Sequence, residues 1–515
     1  MNKASARGFR RLRILSQTLF TLGFLFLVVV AGRSETAMAV FRQVFAFDPL
    51  LALGTTLAGR VVGWTLGLSL LLVLLTLVFG RFFCGWICPL GSLWHATGVL
   101  LDRSPWRKRT FAPKWLRGKT FVLIGVLAAS FFTTQVAGWL DPLSFFARTV
   151  STSLFPPLGL LLETLLRPGA APGGIVAPLF RPAYQAAHRY LLPVHLPMVP
   201  AGIVIGLLLL GLVILHAVRR RIYCNSFCPL GALLGWVARF SFLRLKVRDK
   251  CLGCQRCQQR CTYNGGPYQH YLPSECMLCM NCLADCPDEA VGFSWRLAGW
   301  RGAPVVDFNR RRLASALAGG LFLGALPQLE GIRRRRTRRF VRPPGSVAEN
   351  QFLALCVRCG ACVRACPTGV IQPALLEAGL EAMWTPVMVP AIGYCEYECH
   401  RCTTVCPTGA IAHLTLPEKK AFKMGTAVID RSRCYTYADG YNCAVCEEHC
   451  PIPEKAIRLR DVEVANFRGK LKRVSQVYVR PDLCTGCGIC ENVCPRTDSP
   501  AIRVGAEEEQ RAIPD

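Results

Sequence analysis

Residues 251–287 read CLGCQRCQQRCTYNGGPYQHYLPSECMLCMNCLADCP and carry eight cysteines in two groups of four. Both groups have the spacing Cys-x-x-Cys-x-x-Cys-x-x-x-Cys, and four further groups follow along the chain. Five of the six groups end in Cys-Pro, the exception being Cys261. The groups are Cys251, Cys254, Cys257 and Cys261; Cys276, Cys279, Cys282 and Cys286; Cys356, Cys359, Cys362 and Cys366; Cys395, Cys399, Cys402 and Cys406; Cys434, Cys443, Cys446 and Cys450; Cys484, Cys487, Cys490 and Cys494. Clusters this tight indicate ligands rather than disulfides.

The spacing is that of bacterial ferredoxins and predicts [4Fe–4S] clusters. Three closely spaced thiolates bind one cluster, and the fourth cysteine ligates the cluster of the partner motif. Structural zinc sites instead use two Cys-x-x-Cys arms that are well separated in sequence. In the first module this crossover predicts one cluster on Cys251, Cys254, Cys257 and Cys286, and another on Cys276, Cys279, Cys282 and Cys261.

The four later motifs predict four more clusters, hence six clusters and about 24 iron atoms per chain. Two of these motifs, those that begin at Cys395 and Cys434, depart from the regular spacing. We therefore expect the first motif of the second module to pair with the last, and the two irregular inner motifs to pair together. A series of clusters is typical of electron transfer, and no nucleotide-binding loop or nucleophile elbow accompanies it.

The N-terminal half has the composition of a membrane protein. The 515 residues are 52% hydrophobic, and the apolar segments 14–32, 61–80, 119–138 and 199–217 each approach the length of a spanning helix. The net charge of +29 could indicate nucleic-acid binding, but Lys and Arg cluster beside these segments. By the positive-inside rule, the N-terminus, the 103–119 loop and the chain just beyond residue 218 are cytoplasmic.

These features predict four domains. They are a four-helix membrane domain over 1–245, a two-cluster ferredoxin module of the α+β class over 246–300, an Arg-flanked apolar linker or signal-like segment over 301–345, and a four-cluster polyferredoxin domain over 346–515. We expect the chain to lie in a bacterial inner membrane.

The membrane domain contains a repeat of two helical hairpins. Each unit has an external loop, FDPL with Asp48 or LDPL with Asp141, and ends in Cys-x-x-x-Cys-Pro-Leu-Gly. The Cys-x-x-x-Cys-Pro-Leu-Gly segment contains Cys84 and Cys88 in the first unit and Cys224 and Cys228 in the second. A pseudo-twofold arrangement would bring these four cysteines together to hold a further metal or cluster. Packing at helix ends is the alternative, because free cysteine is often buried.

Two sets of motifs carry a family resemblance. The stretches FCGWICPLG and YCNSFCPLGALLG, with the motifs at 251–286, resemble the membrane ferredoxins NapH and MauN. From RRFVRPPGSVAENQFLALCVRCGACVRACP to CTGCGICENVCP the chain is similar to the exported ferredoxins NapG and MauM, as if two subunits were fused. The spacing of Cys395, Cys399 and Cys402 departs from that family, and its twin-arginine export signal appears only as the internal NRRRLASALAGG.

The resemblance implies a quinol dehydrogenase component that passes electrons from the membrane pool to a periplasmic oxidoreductase or cytochrome. Asp48 and Asp141 are then the candidate acceptors of quinol protons, although Asp-Pro is also a natural helix N-cap. Two other functions remain open: a cofactor-assembly reductase like the cytochrome oxidase maturation proteins, and a regulatory ferredoxin related to NosR.

The segment 309–331 decides the topology of the second module. Its uncharged core, Leu313 to Leu326, is short for a membrane span and suits an interfacial segment or an export signal. The arginines that follow at 333–336 argue for a cytoplasmic end. We expect residues 246–300 in the cytoplasm and residues 346–515 in the periplasm.

Overall fold

The computed structural model describes most of the chain. The described residues are 3–30, 34–60, 64–101, 118–132, 135–169, 177–190, 199–249, 251–261, 263, 265–266, 268, 271–295, 310–325, 340–465, 471–496 and 498–512. Within them an N-terminal helical part carries two small α+β ferredoxin modules, which confirms the ferredoxin fold class for the cysteine-rich regions.

The helical part is built from short and long helices joined by sharp breaks. In chain order the helices are α1 (Lys3–Val30), α2 (Glu35–Ala46), α3 (Pro49–Gly59), α4 (Trp64–Phe79), α5 (Phe82–Trp86), α6 (Pro89–Leu100), α7 (Gly118–Ser130), α8 (Ala137–Leu140), α9 (Pro142–Thr149), α10 (Phe155–Gly169), α11 (Ala177–Tyr190), α12 (Pro200–Val218) and α13 (Pro229–Ala238). A π-helical turn, Val150–Leu154, joins α9 to α10, and another, Tyr223–Phe227, precedes α13.

The modules consist of two-stranded antiparallel sheets and helices of one or two turns. The strands are β1 (Leu243–Val247), β2 (Val291–Trp295), β3 (Ile371–Pro373), β4 (Pro386–Met388), β5 (Thr426–Ile429), β6 (Ile457–Ala465), β7 (Leu471–Val479) and β8 (Ile502–Gly505), paired β1–β2, β3–β4, β5–β8 and β6–β7. The helices are α14 (Arg256–Gln259), α15 (Asn281–Ala284), the longer connecting helix α16 (Arg310–Ala325), α17 (Glu349–Leu355), α18 (Ala361–Ala365), α19 (Arg401–Thr404), α20 (Leu416–Ala421), α21 (Val445–Glu448) and α22 (Ile489–Asn492).

Three helices of the described chain are long and apolar enough to cross a membrane. They cover Ala4–Val30, Pro142–Arg167 and Pro200–Val218, and the pair Thr36–Ala46 and Pro49–Gly59, bent by 81°, makes a fourth candidate. The predicted segments 14–32 and 199–217 are therefore confirmed as long apolar helices. The predicted repeat of four spanning helices is not confirmed, because the segments 61–80 and 119–138 form the shorter helices α4 and α7.

The sequence analysis missed the candidate span Pro142–Arg167. It is less apolar than Pro200–Val218, because serines, threonines and Arg148 interrupt the apolar run. The π-helical turn widens the helix at the polar positions and leaves the helical hydrogen bonding continuous enough for a span. A polar helix of this kind is stable within the bundle only because its polar side chains are buried against protein.

The two modules pack against opposite ends of α1. Near its start, Ala6 belongs to the same hydrophobic cluster as Cys257 and Cys286 of the first module. Near its end, the carbonyl of Val29 accepts a hydrogen bond of 2.8 Å from Arg364 of the second module. These positions are 23 residues apart, which is about 35 Å along a helix. That length is close to the hydrocarbon thickness of a bilayer, about 30 Å.

The helix α16 connects the two modules in sequence and packs along α7. Gly320 approaches the backbone of Gly125 so closely that an added Cβ would collide with its carbonyl oxygen. Ala316 lies against Gly125 in the same contact. Small residues at a helix crossing are typical of packing within membranes. The segment that resembles an export signal is thus an integral helix of the bundle along its described length.

The position of the modules predicts their accessibility. If α16 crosses the membrane, protease added to intact spheroplasts should degrade residues beyond about 340 and leave the cysteines at 251–286 protected. Immunoblots with antibodies against each module measure this, and lysed spheroplasts, in which both modules are accessible, serve as the control. Protection of both modules in intact spheroplasts would place the second module in the cytoplasm.

Candidate functional site

The cysteines of the first module cross between motifs as their spacing predicts. Burial raises the pKa of the Cys257 thiol, and the thiols of Cys286, Cys251 and Cys254 raise it further. In the other group Cys261 lines one cavity with the three cysteines of the partner motif. These three are Cys276, Cys279 and Cys282. The fourth cysteine of each motif therefore lies with the first three of its neighbour.

The second module shows the same crossing, but the expected pairing of its motifs is wrong. Burial raises the pKa of Cys359 to about 12, with a further contribution from Cys406 of the next motif. Burial also raises the pKa of Cys446 to about 12, and Cys494 of the last motif contributes. The first motif thus pairs with the second, and the third with the fourth. Motifs that are adjacent in sequence pair because the chain that connects them is short.

The four resulting sets can be named by their first cysteine. The Cys356 set comprises Cys356, Cys359, Cys362 and Cys406; the Cys395 set comprises Cys395, Cys399, Cys402 and Cys366; the Cys434 set comprises Cys434, Cys443, Cys446 and Cys494; the Cys484 set comprises Cys484, Cys487, Cys490 and Cys450. The amide of Cys395 donates a hydrogen bond of 2.8 Å to the carbonyl of Cys487, so the Cys395 and Cys484 sets are direct neighbours.

Backbone conformation distinguishes the regular motifs from the irregular ones. Each regular motif has a residue in the left-handed conformation directly before its second cysteine and another directly after it. In the first motif of the second module these residues are Arg358 (φ 57°) and Gly360 (φ 76°). Between Cys395 and Cys402 no residue has positive φ. Each pair of the second module therefore combines one regular and one irregular motif. Regular spacing shapes the loop around three thiolates but does not choose the partner.

The four cysteines of the Cys-x-x-x-Cys-Pro segments come together, as the repeat predicts. The thiol of Cys88 interacts electrostatically with Cys84 and Cys224, and that of Cys228 interacts with all three others. Among the described residues, no three His, Cys, Asp or Glu side chains converge as a single metal ion requires. A four-iron cluster differs, because each thiolate binds a different iron and the sulfurs stay further apart.

Two arginines at equivalent positions of the repeat cross between the units. Arg81 lies three residues before Cys84, and its Nη2 is 4.0 Å from the Cys84 sulfur. The same nitrogen packs against Gly231, where it would be 2.8 Å from an added Cβ. Arg221, three residues before Cys224, donates a hydrogen bond of 3.3 Å to the carbonyl of Gly91. Each arginine thus reaches the Pro-Leu-Gly turn of the other unit. This reciprocal contact agrees with the approximate twofold relation that the repeat predicts around the cysteines.

The surroundings of these cysteines fit an anionic, thiolate-bound group. Arg81 is fully buried, and Lys119 is buried beside it. Both contact Glu275, the residue before Cys276 of the first module, and Arg81 also donates to the carbonyl of Ser274 at 3.0 Å. One carboxylate cannot balance two buried cations, so further negative charge is required nearby. Four thiolates bound to a cluster would supply that charge.

Asp48 and Asp141 also meet, although the sequence placed them in external loops. Both are buried at breaks between helices, and their side chains interact directly with each other. One oxygen of Asp48 accepts from the amide of Leu50 at 2.8 Å, and one of Asp141 accepts from Ser144 at 2.7 Å, so both are N-caps. The other oxygen of each carboxyl is buried and has no partner among the described residues except the opposite carboxyl.

A cavity of about 590 Å³ leads from the outer surface of the helical part to Asp48. Asp48 is its only ionisable lining residue among the described side chains. Most of the other lining residues come from α1, α2, α4 and residues 83–89, and Phe47 and Leu143 complete the wall. Leu19, Phe20 and Phe26 line the cavity and are exposed on the outer, apolar surface of α1. The cavity is therefore open on the side that faces lipid in a membrane.

Sequence reasoning missed most of the charged residues around these sites. Arg81 and Arg221 could have been found, because both precede a Cys-x-x-x-Cys pair by three residues. Lys119 and Glu275 lie far apart in sequence and have no motif. All 28 cysteines, each within the described residues, are free, in agreement with a ligand role.

The comparisons with known proteins agree with this geometry. Residues 61–108 and 201–248 each match the family described as a 4Fe-4S binding domain, and these ranges contain the two Cys-x-x-x-Cys-Pro segments. Residues 355–410 and 441–497 each match a 4Fe-4S dicluster domain. The second match supports the pairing of neighbouring motifs that the structure shows. No solved structure matches the chain.

Three curated relatives are similar to part of the chain. The methylamine utilization ferredoxin-type protein MauM of Methylorubrum extorquens is 41% identical over 170 residues, 32% of this chain and 71% of MauM. The ferredoxin-type protein NapG of Escherichia coli is 40% identical over 209 residues, 40% of this chain and 88% of NapG. MauM of Paracoccus denitrificans is 38% identical over 191 residues, 36% of this chain and 78% of that protein.

The similarity to NapH and MauN in the N-terminal half stays a prediction. The similarity to NapG and MauM is stronger evidence, because it covers most of the length of each relative and both 355–410 and 441–497 match a 4Fe-4S dicluster domain. The chain belongs to the family of NapG and MauM ferredoxin-type proteins and is an iron–sulfur protein of electron transfer.

Proposed function

We propose that the protein oxidises a membrane quinol and delivers the electrons, through its cysteine-bound iron–sulfur clusters, to a partner oxidoreductase. The observation that carries this proposal is the apolar cavity that opens toward lipid and ends at Asp48. Binding sites for apolar ligands are concave and carry few polar groups, each placed for orientation or chemistry. A quinol ring has two hydroxyl groups and an apolar tail, which matches one ionisable residue at the end of an apolar cavity.

The paired carboxyls suit the chemistry of quinol oxidation. Oxidation of a quinol to a quinone releases two protons and two electrons. Two carboxylates in contact within an apolar interior cannot both stay ionised, so Asp48 and Asp141 share a proton and one of them accepts the next. Asp141 is the residue through which a proton would leave, because Asp48 lines the cavity and Asp141 lies behind it.

We propose six [4Fe–4S] clusters on the 24 ferredoxin cysteines and one further cluster, rather than a single metal ion, on Cys84, Cys88, Cys224 and Cys228. Iron–sulfur clusters, when bound, accept and donate single electrons. The convergence of these four cysteines supports the further site, as do the buried cations around them and the match of both segments to a 4Fe-4S binding domain. Ile87 and Pro89, which flank Cys88, line the cavity, so this site adjoins the proposed quinol site.

The partner follows from the two-ended arrangement. The modules at opposite ends of α1 support a cytoplasmic first module and a second module on the far side of a bacterial inner membrane. The related MauM proteins are named for methylamine utilization. With the second module on the far side of the membrane, the class of partner we propose is a periplasmic oxidoreductase or cytochrome. The Cys356 set lies nearest the helical part, and the Cys434 set is the last in the series of sets that begins there.

Filling the cavity tests the quinol site directly. Gly23 lines the cavity, and a Cβ added there meets no atom within 4 Å, so Gly23→Leu should fold and occupy the space. We expect the rate of cluster reduction by a quinol analogue to fall by about tenfold or more, from a steric cost of about 1–3 kcal/mol to the bound ring. Stopped-flow absorbance under anaerobic conditions measures this rate, with reduction by dithionite as the reference.

Gly211→Leu is the matched control. Gly211 lies in the apolar helix α12, does not line the cavity, and also has open space around an added Cβ. Unchanged quinol rates in both variants would reject the cavity as the binding site. If no quinol reduces the wild-type clusters, the quinol function itself is wrong, and the assembly-reductase or regulatory alternatives remain.

The aspartate pair gives a second test. Asn caps a helix about as well as Asp, so Asp141→Asn should keep the fold, but it cannot take up a proton. We expect quinol-dependent reduction to slow by about 100-fold, the lower range for loss of a general base. The thermal midpoint and dithionite reduction should stay near the wild-type values. Wild-type quinol rates in both Asp48→Asn and Asp141→Asn would show that the pair serves only as N-caps.

Removal of the cysteines of the repeat tests the further metal site. The double variant Cys84→Ser and Cys224→Ser should lose bound metal beyond the six clusters, which is about four iron atoms if the site holds a four-iron cluster. Iron and sulfide analysis of anaerobically purified protein measures the loss. Metal content equal to that of the wild type would show that the four cysteines pack without a ligand role.

A further inference from the structure

Two arginines join the helical part to the second module by a reciprocal contact. Arg148 of α9 donates to the carbonyl of Arg358 at 3.1 Å, and its guanidinium lies 4.2 Å from the ring centre of Trp384 in the module. Arg358 of the module donates in return to the carbonyl of Gln135 in the helical part. Its guanidinium lies 5.4 Å from the ring centre of Trp139.

Neither arginine forms an ion pair with a carboxylate among the described side chains, and the carboxylates of Asp141 and Glu381 interact with them less strongly than the neighbouring cysteines do. Arg148 donates to the carbonyls of Gly138, Trp139 and Arg358. Arg358 likewise donates only to backbone carbonyls, with 2.7 Å to Glu381 and 3.0 Å to Met383. Both are about 1% exposed. Two like charges that interact with each other out of water are costly unless an anion balances them.

The nearest candidate for that anion is the Cys356 set. Arg358 stands between Cys356 and Cys359 in sequence and donates to the carbonyl of Cys356 at 3.2 Å. The Cys356 thiol interacts electrostatically with the Arg358 guanidinium. Arg148 also interacts electrostatically with the Cys359 thiol. A [4Fe–4S] cluster with four thiolates is anionic, and its charge grows by one when it is reduced.

We propose that Arg148 and Arg358 are the counter-charges of the cluster held by the Cys356 set and raise its reduction potential. Net charge and nearby hydrogen bonds are among the properties that set the potential of such clusters. The cations favour the reduced, more negative state, and they occur at the set that packs against the helical part. The Cys356 set is thereby the point at which electrons enter the second module. The proposal rests on this set holding a cluster, but not on quinol being the reductant.

The test is a redox titration of the full-length, cluster-loaded protein in detergent, followed by electron paramagnetic resonance. The signal of the Cys356-set cluster is identified as the component that disappears in Cys359→Ala. In Arg148→Gln and in Arg358→Gln we expect the ratio of reduced to oxidised cluster at a fixed potential to fall by about tenfold. For one electron this corresponds to a midpoint lower by about 59 mV. Chemical mediators set the potential, so the result is independent of quinol oxidation.

Two kinds of control separate charge from structure. Arg460→Gln removes the same charge from the exposed part of β6 and should leave the midpoint unchanged. Arg148→Lys and Arg358→Lys keep the charge but lose the planar hydrogen-bonding group, so their midpoints should stay near the wild-type value. An unchanged midpoint in both glutamine variants overturns the proposal, as does an equal shift in the lysine variants.

The lysine variants also decide the outcome if the glutamine variants fail to retain iron. Iron content restored by lysine shows that positive charge at these positions is what the cluster requires. Iron content that stays low with lysine shows that the arginines act only through hydrogen bonds to the interface, and the proposal is then wrong.

Discussion

Buried negative charge on sulfur is the constraint on which this structure depends. A thiolate that leaves water must be balanced by nearby positive charge, because an unpaired ion in an apolar interior is costly. The protein buries arginine or lysine beside two of its cysteine groups, with Arg81 and Lys119 at the Cys-x-x-x-Cys-Pro segments and Arg148 and Arg358 at the Cys356 set. The need to balance the cysteine groups would explain why part of the positive charge of this basic chain is buried.

The same cations connect the parts of the molecule. Arg81 crosses from one repeat unit to the turn at Gly231 and also contacts Glu275 of the first module. Arg148 contacts the second module at the opposite end of the helical part. A cation that balances the charge of a cysteine site thus also holds a ferredoxin module against the helical part. Assembly of the fold and loading of the sites are therefore expected to depend on each other.

The helical part combines two requirements that normally conflict. It is apolar enough to lie in a membrane, yet it holds two buried carboxyls where Asp48 and Asp141 meet. Each carboxyl uses one oxygen to cap a helix, and this fixes its position at a break in the bundle. The other oxygen is left for its counterpart. A structural role and a proton-accepting role are compatible in one residue, because they use different oxygens.

The sequence by itself determined the local chemistry of this protein. The cysteine spacing fixed the ligand type and the crossover within a pair, and the repeated Cys-Pro-Leu-Gly and Asp-Pro-Leu segments indicated that equivalent residues would meet. These features are local, since a few residues of backbone set the distance between neighbouring thiolates. The helices 64–79 and 118–130 were expected to be full spans but are shorter, and the polar candidate span 142–167 was not recognised, because hydropathy measures composition and not burial against protein.

Only the tertiary structure decided which distant groups share a site. The motifs of the second module pair as neighbours, although their spacing suggested otherwise, because loop length and packing choose the partner. Arg148 and Cys359, and likewise Lys119 and Glu275, have no sequence relation that marks them as neighbours. Long-range contacts of this kind follow from how the helices and modules pack, and the charges of a buried site are balanced only once that packing is complete.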